Sequence, residues 1–170
     1  MKRKNLWAPW RFKYITGLDK PQAECFLCSY IDTPEKDTEN LVLWRTSRSI
    51  VVFNKFPYNN GHLLVAPITH IADLSNESDE QMLELIKLTT QCQSILTEAI
   101  KPCGFNVGMN FGRPAGAGLP AHMHIHIVPR WDGDTNFMHV CADTDVISQG
   151  MDELYEQLKQ ISAARNLPNL

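Results

Sequence analysis

The chain has 170 residues, a length typical of one domain, and 44% of them are hydrophobic while 21% are charged. These are the values of an ordinary globular protein, and they exclude a disordered tail, a collagen-like chain and a coiled coil. Its 16 basic and 19 acidic residues give a net charge of −3, so no basic excess is available to bind nucleic acid. A small phosphorylated ligand needs only a local site and is not excluded.

The start of the chain is basic, but Trp7-Ala-Pro-Trp10 follows where a signal peptide would have an apolar stretch. No run approaches the roughly 18–20 apolar residues that span a bilayer. The five cysteines are an odd number in a chain too long to need disulfides, which indicates a reducing compartment. We therefore expect a cytoplasmic protein without membrane partners.

Prolines and turn signals divide the first half of the chain into short elements. Residues 1–40, interrupted by Pro9, Pro21 and Pro34, are expected to form an irregular segment wrapped around a core that forms later. Five β-rich runs are predicted in the chain: Leu41–Arg45, Ile50–Asn54, Leu63–Pro67, Phe105–Asn110 and His122–Val128.

A long helix is predicted between the third and fourth runs. Ser78 and Gln81 have the spacing of a capping box, and apolar residues then recur every three or four positions until Pro102. A last helical pattern covers residues 146–165. Five short strands and one long helix predict a single α+β domain, with the helix covering one face of an antiparallel sheet.

Three histidines alternate with apolar residues in the last predicted strand, His122-Met-His124-Ile-His126. Side chains alternate across a strand, so the three imidazoles are expected on one face while Met123 and Ile125 point into the core. The pattern favours catalysis; a tripodal metal site and a merely solvent-facing strand are the alternatives. The preceding loop has three glycines between Gly112 and Gly118, whose backbone amides could hold an anion.

These segments resemble the histidine triad (HIT) family of nucleotidyl hydrolases and transferases. Residues 122–128 match the family motif His-φ-His-φ-His-φ-φ at every position, and Asn54–Pro67 is similar to the family's strand–turn–strand with its Gly-His pair. The resemblance covers roughly residues 7–160 and implies a HIT-like fold with its catalytic core in residues 41–129. Segments 7–11, 104–110 and 129–137 are most similar to the bacterial branch with diadenosine tetraphosphate (Ap4A) phosphorylase activity.

The resemblance also implies roles for individual residues. His124 would attack the α-phosphorus and form a nucleotidyl-histidine intermediate, which suits an imidazole that is neutral near pH 7. The other implied catalytic residues are His62, His122 and His126. The implied nucleotide-binding residues are Asn54 near the ribose and Asn110, Gly116 and Gly118 near the α-phosphate. Arg113, beside the glycine loop, is a nearby cation that could hold phosphate as acceptor. A plain turn cap is the alternative for Asn54.

Cys25-Phe-Leu-Cys28 is a second motif, and alone it could be redox-active or half of a zinc site. No predicted strand precedes it, as one usually does in redox motifs, and zinc requires further ligands for a tetrahedral site. Resemblance to HIT members with this motif implies that His70 and His122 complete a structural zinc site. Two free thiols are the alternative.

The expected function is nucleotidyl transfer from a dinucleoside polyphosphate, with phosphorolysis favoured over hydrolysis and no organic cofactor. Three alternatives stay open: a HIT-type nucleotide hydrolase or phosphoramidase, a nucleotide-binding module without turnover, and a zinc-binding structural protein. HIT relatives are commonly homodimers, so a homodimer is expected.

Overall fold

A five-stranded antiparallel sheet forms the centre of the protein, with its strands in the spatial order Val42–Arg45, Ser49–Phe53, Leu63–Pro67, Ile125–Arg130 and Gly104–Met109. The computed structural model describes residues 25–75, 77–134, 141 and 146–170. Its helices and strands are α1 (Phe26–Asp32), β1 (Val42–Arg45), β2 (Ser49–Phe53), β3 (Leu63–Pro67), α2 (Asp79–Ile100), β4 (Gly104–Met109), β5 (Ile125–Arg130) and α3 (Met151–Ala164). The predicted α+β class is confirmed.

The two faces of the sheet bury different elements. Val51, Val65 and Ile127 are fully buried on the face that packs against α2 and α3. Val52 and Leu64 point to the opposite face, where the short helix α1 packs. Successive strand residues alternate between these faces, so both sides of the central strands are apolar. The second face also carries the histidines, since His126 of β5 is directly opposite Leu64 in β3.

The long helix α2 begins and ends where the sequence predicts. The Ser78 hydroxyl accepts a hydrogen bond from the Gln81 amide at 3.2 Å, and Lys101, with φ 46°, ends the helix before Pro102. The capping box is only half formed, because the Gln81 side chain donates to the Ser49 hydroxyl at 3.1 Å and so ties α2 to β2.

The C-terminal helix α3 is tied to the edge strand β1 by two buried hydrogen bonds. The Trp44 indole N–H donates to the Ser162 hydroxyl at 3.1 Å, and the Tyr155 hydroxyl donates to the Val42 carbonyl at 3.1 Å. The helix begins at Met151, later than residue 146 predicted from the apolar pattern, because the extended backbone of Gly150 precedes it. No helix among the described ranges is long and apolar enough to cross a bilayer.

The N-terminal segment differs from the irregular wrap that the sequence predicts. Residues 1–24, including Pro9, Pro21 and the first two tryptophans, lie outside the described residues, but residues 26–32 form the helix α1. This helix is too short for a sequence pattern and is stabilised by tertiary contacts. Leu27 is fully buried against the sheet, and the Arg45 guanidinium donates to Asp37 and to the Tyr30 carbonyl.

Candidate active site and metal centre

Three imidazoles meet on one face of the sheet, beside the inner strand β5. The ring of His126, in β5, lies 4.8 Å from that of His124 and 5.1 Å from that of His62, measured between centroids. Tyr58 covers this group, with its ring 4.7 Å from His62 and stacked on His126 at 5.7 Å. His62 and His124 are buried, so the group is largely shielded from water.

The alternation predicted for the triad holds although the strand begins later than predicted. Met123, Ile125 and Ile127 all belong to the core under α2, which leaves the histidines on the other face. Hydrogen-bonded pairing starts only at Ile125, so His122 and His124 precede β5 instead of lying within it. The chain bends away from the ladder here because the Met123 amide donates to the Ile71 carbonyl at 2.6 Å.

Glycine at position 61 explains the Gly-His pair before β3. Gly61 has φ +75°, and a Cβ built there would lie 2.9 Å from the Ile100 Cδ1 atom and 3.0 Å from a Leu96 methyl. A side chain would therefore be strained and would clash with α2. The close approach of this turn to α2 fixes the position at which His62 enters the histidine group.

The protonated nitrogen of His124 is fixed by its backbone contact. His124 Nδ1 lies 2.9 Å from the carbonyl oxygen of His122. A carbonyl only accepts, so Nδ1 carries the proton and Nε2 keeps its lone pair. Burial lowers the pKa of His124, against the opposing effect of this hydrogen bond, so the ring is neutral at pH 7. A neutral imidazole with a free Nε2 lone pair is a competent nucleophile.

A second hydrogen-bond chain fixes the other two rings. The Tyr58 amide donates to His62 Nδ1 at 3.1 Å, so the proton of neutral His62 is on Nε2, which donates to His126 Nδ1 at 2.9 Å. His126 therefore carries its own proton on Nε2, 3.5 Å from the Asn110 amide group. Burial and the neighbouring histidines lower the pKa of His62 to about 3 and that of His126 to about 4.

Of the predicted nucleotide-binding residues, two pack directly against this histidine chain. Asn110 follows β4 and contacts His126, and a Cβ on Gly116 would lie 4.0 Å from the Asn110 amide nitrogen. Asn54 Oδ1 accepts from the Phe56 amide at 2.9 Å while its amide nitrogen lies 3.2 Å from His62 Nδ1. The Asn54 side chain thus both caps a turn and contacts the site.

The glycine loop after Asn110 is mostly exposed, and only its apolar residues Ala117 and Leu119 are buried. Arg113 begins a 3-10 turn over residues 113–115, and Gly116, with φ +93°, ends it. Gly118 has open space where a Cβ would be. The other arginine near the triad, Arg130, is bound elsewhere: its guanidinium lies 2.6 Å from Asp134 and 2.8 Å from the Asn106 side chain.

The predicted zinc ligands come together on the far side of His122. The candidate ligand atoms of Cys25, Cys28, His70 and His122 all lie within 4.8 Å of one another. Nδ1 of His122 is 3.2 Å from Cys25 Sγ, and Nδ1 of His70 is 3.1 Å from Cys28 Sγ. Tetrahedral zinc bonded to sulfur and nitrogen separates such atoms by roughly 3.5 Å, so the group fits this ion.

His122 offers the correct nitrogen to a metal. Its Nε2 lies 2.9 Å from the Pro67 carbonyl oxygen and must donate to it, so the Nδ1 lone pair faces the two cysteines. Burial and the neighbouring Cys25 raise the pKa of Cys28 to about 11. A thiol that stays protonated at neutral pH is a poor redox nucleophile, and zinc would displace its proton on binding, so the convergence of two histidines on the cysteines is what favours the metal site.

Sequence reasoning missed two contributors and one cavity. Tyr58, whose amide sets the His62 tautomer, and Ile71, which accepts from Met123, act through backbone groups that a sequence pattern does not reveal. A cavity of about 790 Å³ lies between the loop at residues 131–134 and the start of α3. Its described lining contains no histidine, so the site is identified by chemistry and not by cavity size.

Comparison with known proteins agrees with this geometry. The model of the HIT domain matches residues 35–133. The chain is 35% identical over 149 residues to an AP-4-A phosphorylase of Mycobacterium tuberculosis, covering 85% of this chain and 76% of that protein.

Two solved structures show the same fold. A hypothetical histidine triad nucleotide-binding protein from Sulfolobus tokodaii is 27% identical, with a TM-score of 0.64 over 84% of this chain and 93% of that one. A Zn-bound histidine triad family protein from Mycobacterium smegmatis is 20% identical, with a TM-score of 0.67 over 88% of this chain and 100% of that one. The chain belongs to the histidine triad family.

Proposed function

We propose that the protein is a nucleotidyl transferase that cleaves Ap4A-type dinucleoside polyphosphates through a covalent adduct on His124. The observation that carries this proposal is the 2.9 Å contact between His124 Nδ1 and the His122 carbonyl. It leaves the Nε2 lone pair as the reactive atom of a buried, neutral ring. The similarity to an AP-4-A phosphorylase supports this substrate class and this reaction.

In the first step, His124 Nε2 attacks the α-phosphorus of Ap4A and the bond to the bridging oxygen breaks. That oxygen leaves with the electron pair as ATP, and the AMP unit stays bonded to Nε2. The imidazole becomes positively charged in the process. The His122 carbonyl, which already accepts from Nδ1–H, stabilises that charge without rearrangement.

Charge on the α-phosphate oxygens is stabilised by donors beside the nucleophile. His126 carries its proton on Nε2, and Asn110 lies 3.5 Å from that atom. The Gly118 amide is the donor of the glycine loop proposed to complete this set, since the Gly116 and Ala117 amides donate to the Arg113 and Gly112 carbonyls at 2.9 and 3.3 Å. Fixed donors of this kind are commonly the largest single contribution to catalysis of phosphoryl and acyl transfer.

In the second step, a small nucleophile attacks the phosphorus and the P–N bond breaks, returning the electron pair to Nε2. Phosphate as acceptor gives ADP, and water gives AMP. Water is present at about 55 M, so phosphate must be concentrated and oriented, which a bound site can do with effective molarities of roughly 10⁵–10⁸ M. Arg113 on the glycine loop is the proposed phosphate contact, because it begins the turn that leads from Asn110 to Gly116.

The metal of this protein is proposed to be zinc, held by Cys25, Cys28, His70 and His122. Two sulfur and two nitrogen ligands with no position left for water are typical of a structural zinc site. When bound, the ion would cross-link three parts of the chain: the start of α1, the segment after β3 and the segment before β5. The homodimer and the cytoplasmic location expected from the sequence stay predictions.

The test is incubation with Ap4A in the presence and absence of inorganic phosphate, followed by separation of the nucleotides. ADP and ATP in equal amounts, with ADP rising in proportion to phosphate, support phosphorolysis. AMP and ATP at saturating phosphate would instead identify a hydrolase. Nucleotide binding without any product, together with failure to trap an adenylated protein, would identify a binding module.

A further inference from the structure

The nucleophile lies outside the hydrogen-bonded ladder of the sheet. Ile125 is the first residue of β5 paired on both sides, with Val65 in β3 and Met109 in β4. His124 precedes it, so the paired strand does not hold the backbone from which the reactive ring projects. Other contacts must fix this ring.

Those contacts come from the segment that also carries a metal ligand. The Met123 amide donates to the carbonyl of Ile71, the residue after His70, at 2.6 Å. The His122 ring donates from Nε2 to the Pro67 carbonyl at 2.9 Å. The segments 67–71 and 122–124 are thus joined at two points, and a metal ion bound by His70 and His122 would add a third.

His122 connects the metal centre to the nucleophile. Its side chain directs Nδ1 at the cysteines, and its backbone carbonyl accepts a hydrogen bond from His124 Nδ1–H. We infer that His122 is a positioning residue, through which metal occupancy of the Cys25–Cys28–His70–His122 site holds His124 in its reactive tautomer. This inference rests on the proposed function and adds to the structural role of the metal a role in catalysis.

The expected size of the effect on adduct formation follows from what the His124 ring loses when the metal is absent. Without the ion, His122 Nδ1 faces two thiols, and its carbonyl is fixed only by neighbouring backbone. A neutral His124 whose Nδ1 partner moves can carry its proton on Nε2 instead, and that form cannot attack phosphorus. Groups that orient metal ligands and their partners commonly change activity by roughly 10–100-fold, so a loss of that size in adduct formation is expected.

His70→Ala is the variant that tests this inference. His70 is exposed and supplies one ligand, and its ring contacts that of His122, 5.1 Å away between centroids, so its removal reaches the nucleophile through His122 and the metal site. His70→Cys restores a fourth ligand of another kind. Thr69→Ala, at the exposed neighbouring position, is the matched control and should keep both zinc and activity.

Four quantities are measured on each protein: zinc content, the His124 tautomer by ¹⁵N NMR of the imidazoles, the single-turnover rate of adduct formation from Ap4A, and the dissociation constant of AMP. We expect His70→Ala to lose zinc, to lose the Nδ1–H form and to form adduct roughly 10–100-fold more slowly. Its affinity for AMP should change by less than about threefold, and His70→Cys should recover zinc, tautomer and rate together.

Zinc-free His70→Ala with the wild-type tautomer and adduct rate would overturn the inference and leave the proposed function intact. Zinc-loaded wild type that forms no adduct would overturn the proposed function, while the tautomer comparison would still test the positioning. If His70→Ala unfolds without zinc, the tautomer is followed instead in a zinc titration of the wild-type protein, from which a chelator withdraws the ion while circular dichroism checks that the chain stays folded. A tautomer population independent of zinc occupancy in that titration would also overturn the inference.

Discussion

The metal centre and the histidine group differ in chemistry although both are built from the same motif. His122 and His124 are two residues apart, and each ring donates a hydrogen bond to a backbone carbonyl. In His122, Nε2–H donates to the Pro67 carbonyl, which leaves the Nδ1 lone pair for a metal. In His124, Nδ1–H donates to the His122 carbonyl, which leaves the Nε2 lone pair for phosphorus. The comparison teaches that the partner of the second nitrogen decides what a histidine of the triad does.

The largest expected effect comes from removing the nucleophile, which should disable the histidine group and leave the metal centre in place. We expect His124→Gly to lower Ap4A turnover at least about 10³-fold, because no other atom can form the adduct. Zinc content should stay close to that of the wild type, since His124 is not a metal ligand, while the melting temperature should fall because a buried ring is removed. The measurement is steady-state turnover together with mass spectrometry of the trapped protein.

Added imidazole provides the control for that variant. A free imidazole bound in the vacated space should restore part of the turnover without adenylating the protein. Full residual turnover in His124→Gly, or adenylation at another residue, would contradict the proposed mechanism.

Removing a cysteine ligand should disrupt the metal centre. We expect Cys25→Ser to lose zinc and to lower the melting temperature by on the order of 10 °C, because metal binding is coupled to stability. The matched control is Cys103→Ser, which changes an exposed cysteine outside the proposed ligand set. Elemental analysis and thermal unfolding are the measurements, and full zinc occupancy in Cys25→Ser would refute the ligand assignment.

The acceptor site can be separated from both regions. Arg113→Ala should lower the phosphate-dependent rate roughly 10–100-fold, the value of a lost hydrogen bond to a charged group, and leave adduct formation unchanged. Arg130→Ala is the control, because that guanidinium is bound to Asp134 and Asn106. An equal loss of phosphate response in the two variants would remove Arg113 from the acceptor site.

The smallest of these effects is expected from lowering the pH, which acts on stability through the histidine group. His62 is faced by His124, His126, Tyr58 and Asn54, and burial lowers its pKa from 6.5 to about 3. The unfolded chain then binds the proton more readily, so the free energy of unfolding falls as pH decreases below 6.5. The loss is about 1.4 kcal/mol per pH unit for each histidine kept neutral by the fold.

Urea unfolding of the wild type and of His62→Gln between pH 7 and pH 5 measures this contribution. The variant isolates His62 from acid-driven loss of metal, which affects both proteins equally. The slope of stability against pH should be shallower in His62→Gln. Identical slopes would show that protonation of His62 carries no energetic cost in the folded protein.

Patterns with a fixed period could be predicted from the sequence. The apolar spacing from Met82 to Ala99 predicts α2, and the alternation around His124 places Met123 and Ile125 in the core as observed. Each signal extends over several residues and depends on burial of one face. The grouping of Cys25 and Cys28 with His70 and His122 also follows the resemblance, because it depends on motif residues.

Features held by single tertiary contacts could not be predicted. The helix α1 depends on Leu27 and Arg45, and the late start of β5 depends on the Met123 amide. The tautomers depend on which backbone group reaches each ring, as with the Tyr58 amide and His62. No side-chain pattern specifies these contacts, since they are made by carbonyls and amides that every residue has.

The ion pair between Arg45 and Asp37 has a consequence for how the metal is acquired. The Arg45 guanidinium also binds the Tyr30 and Ile31 carbonyls, so the end of α1 is fastened to β1 by protein contacts alone. Cys25 and Cys28 are therefore held close together before the ion binds. The conformational entropy lost in ordering α1 is already offset by these protein contacts. Capture of the ion should then be a local docking event at high effective concentration, and its release need not unfold the domain.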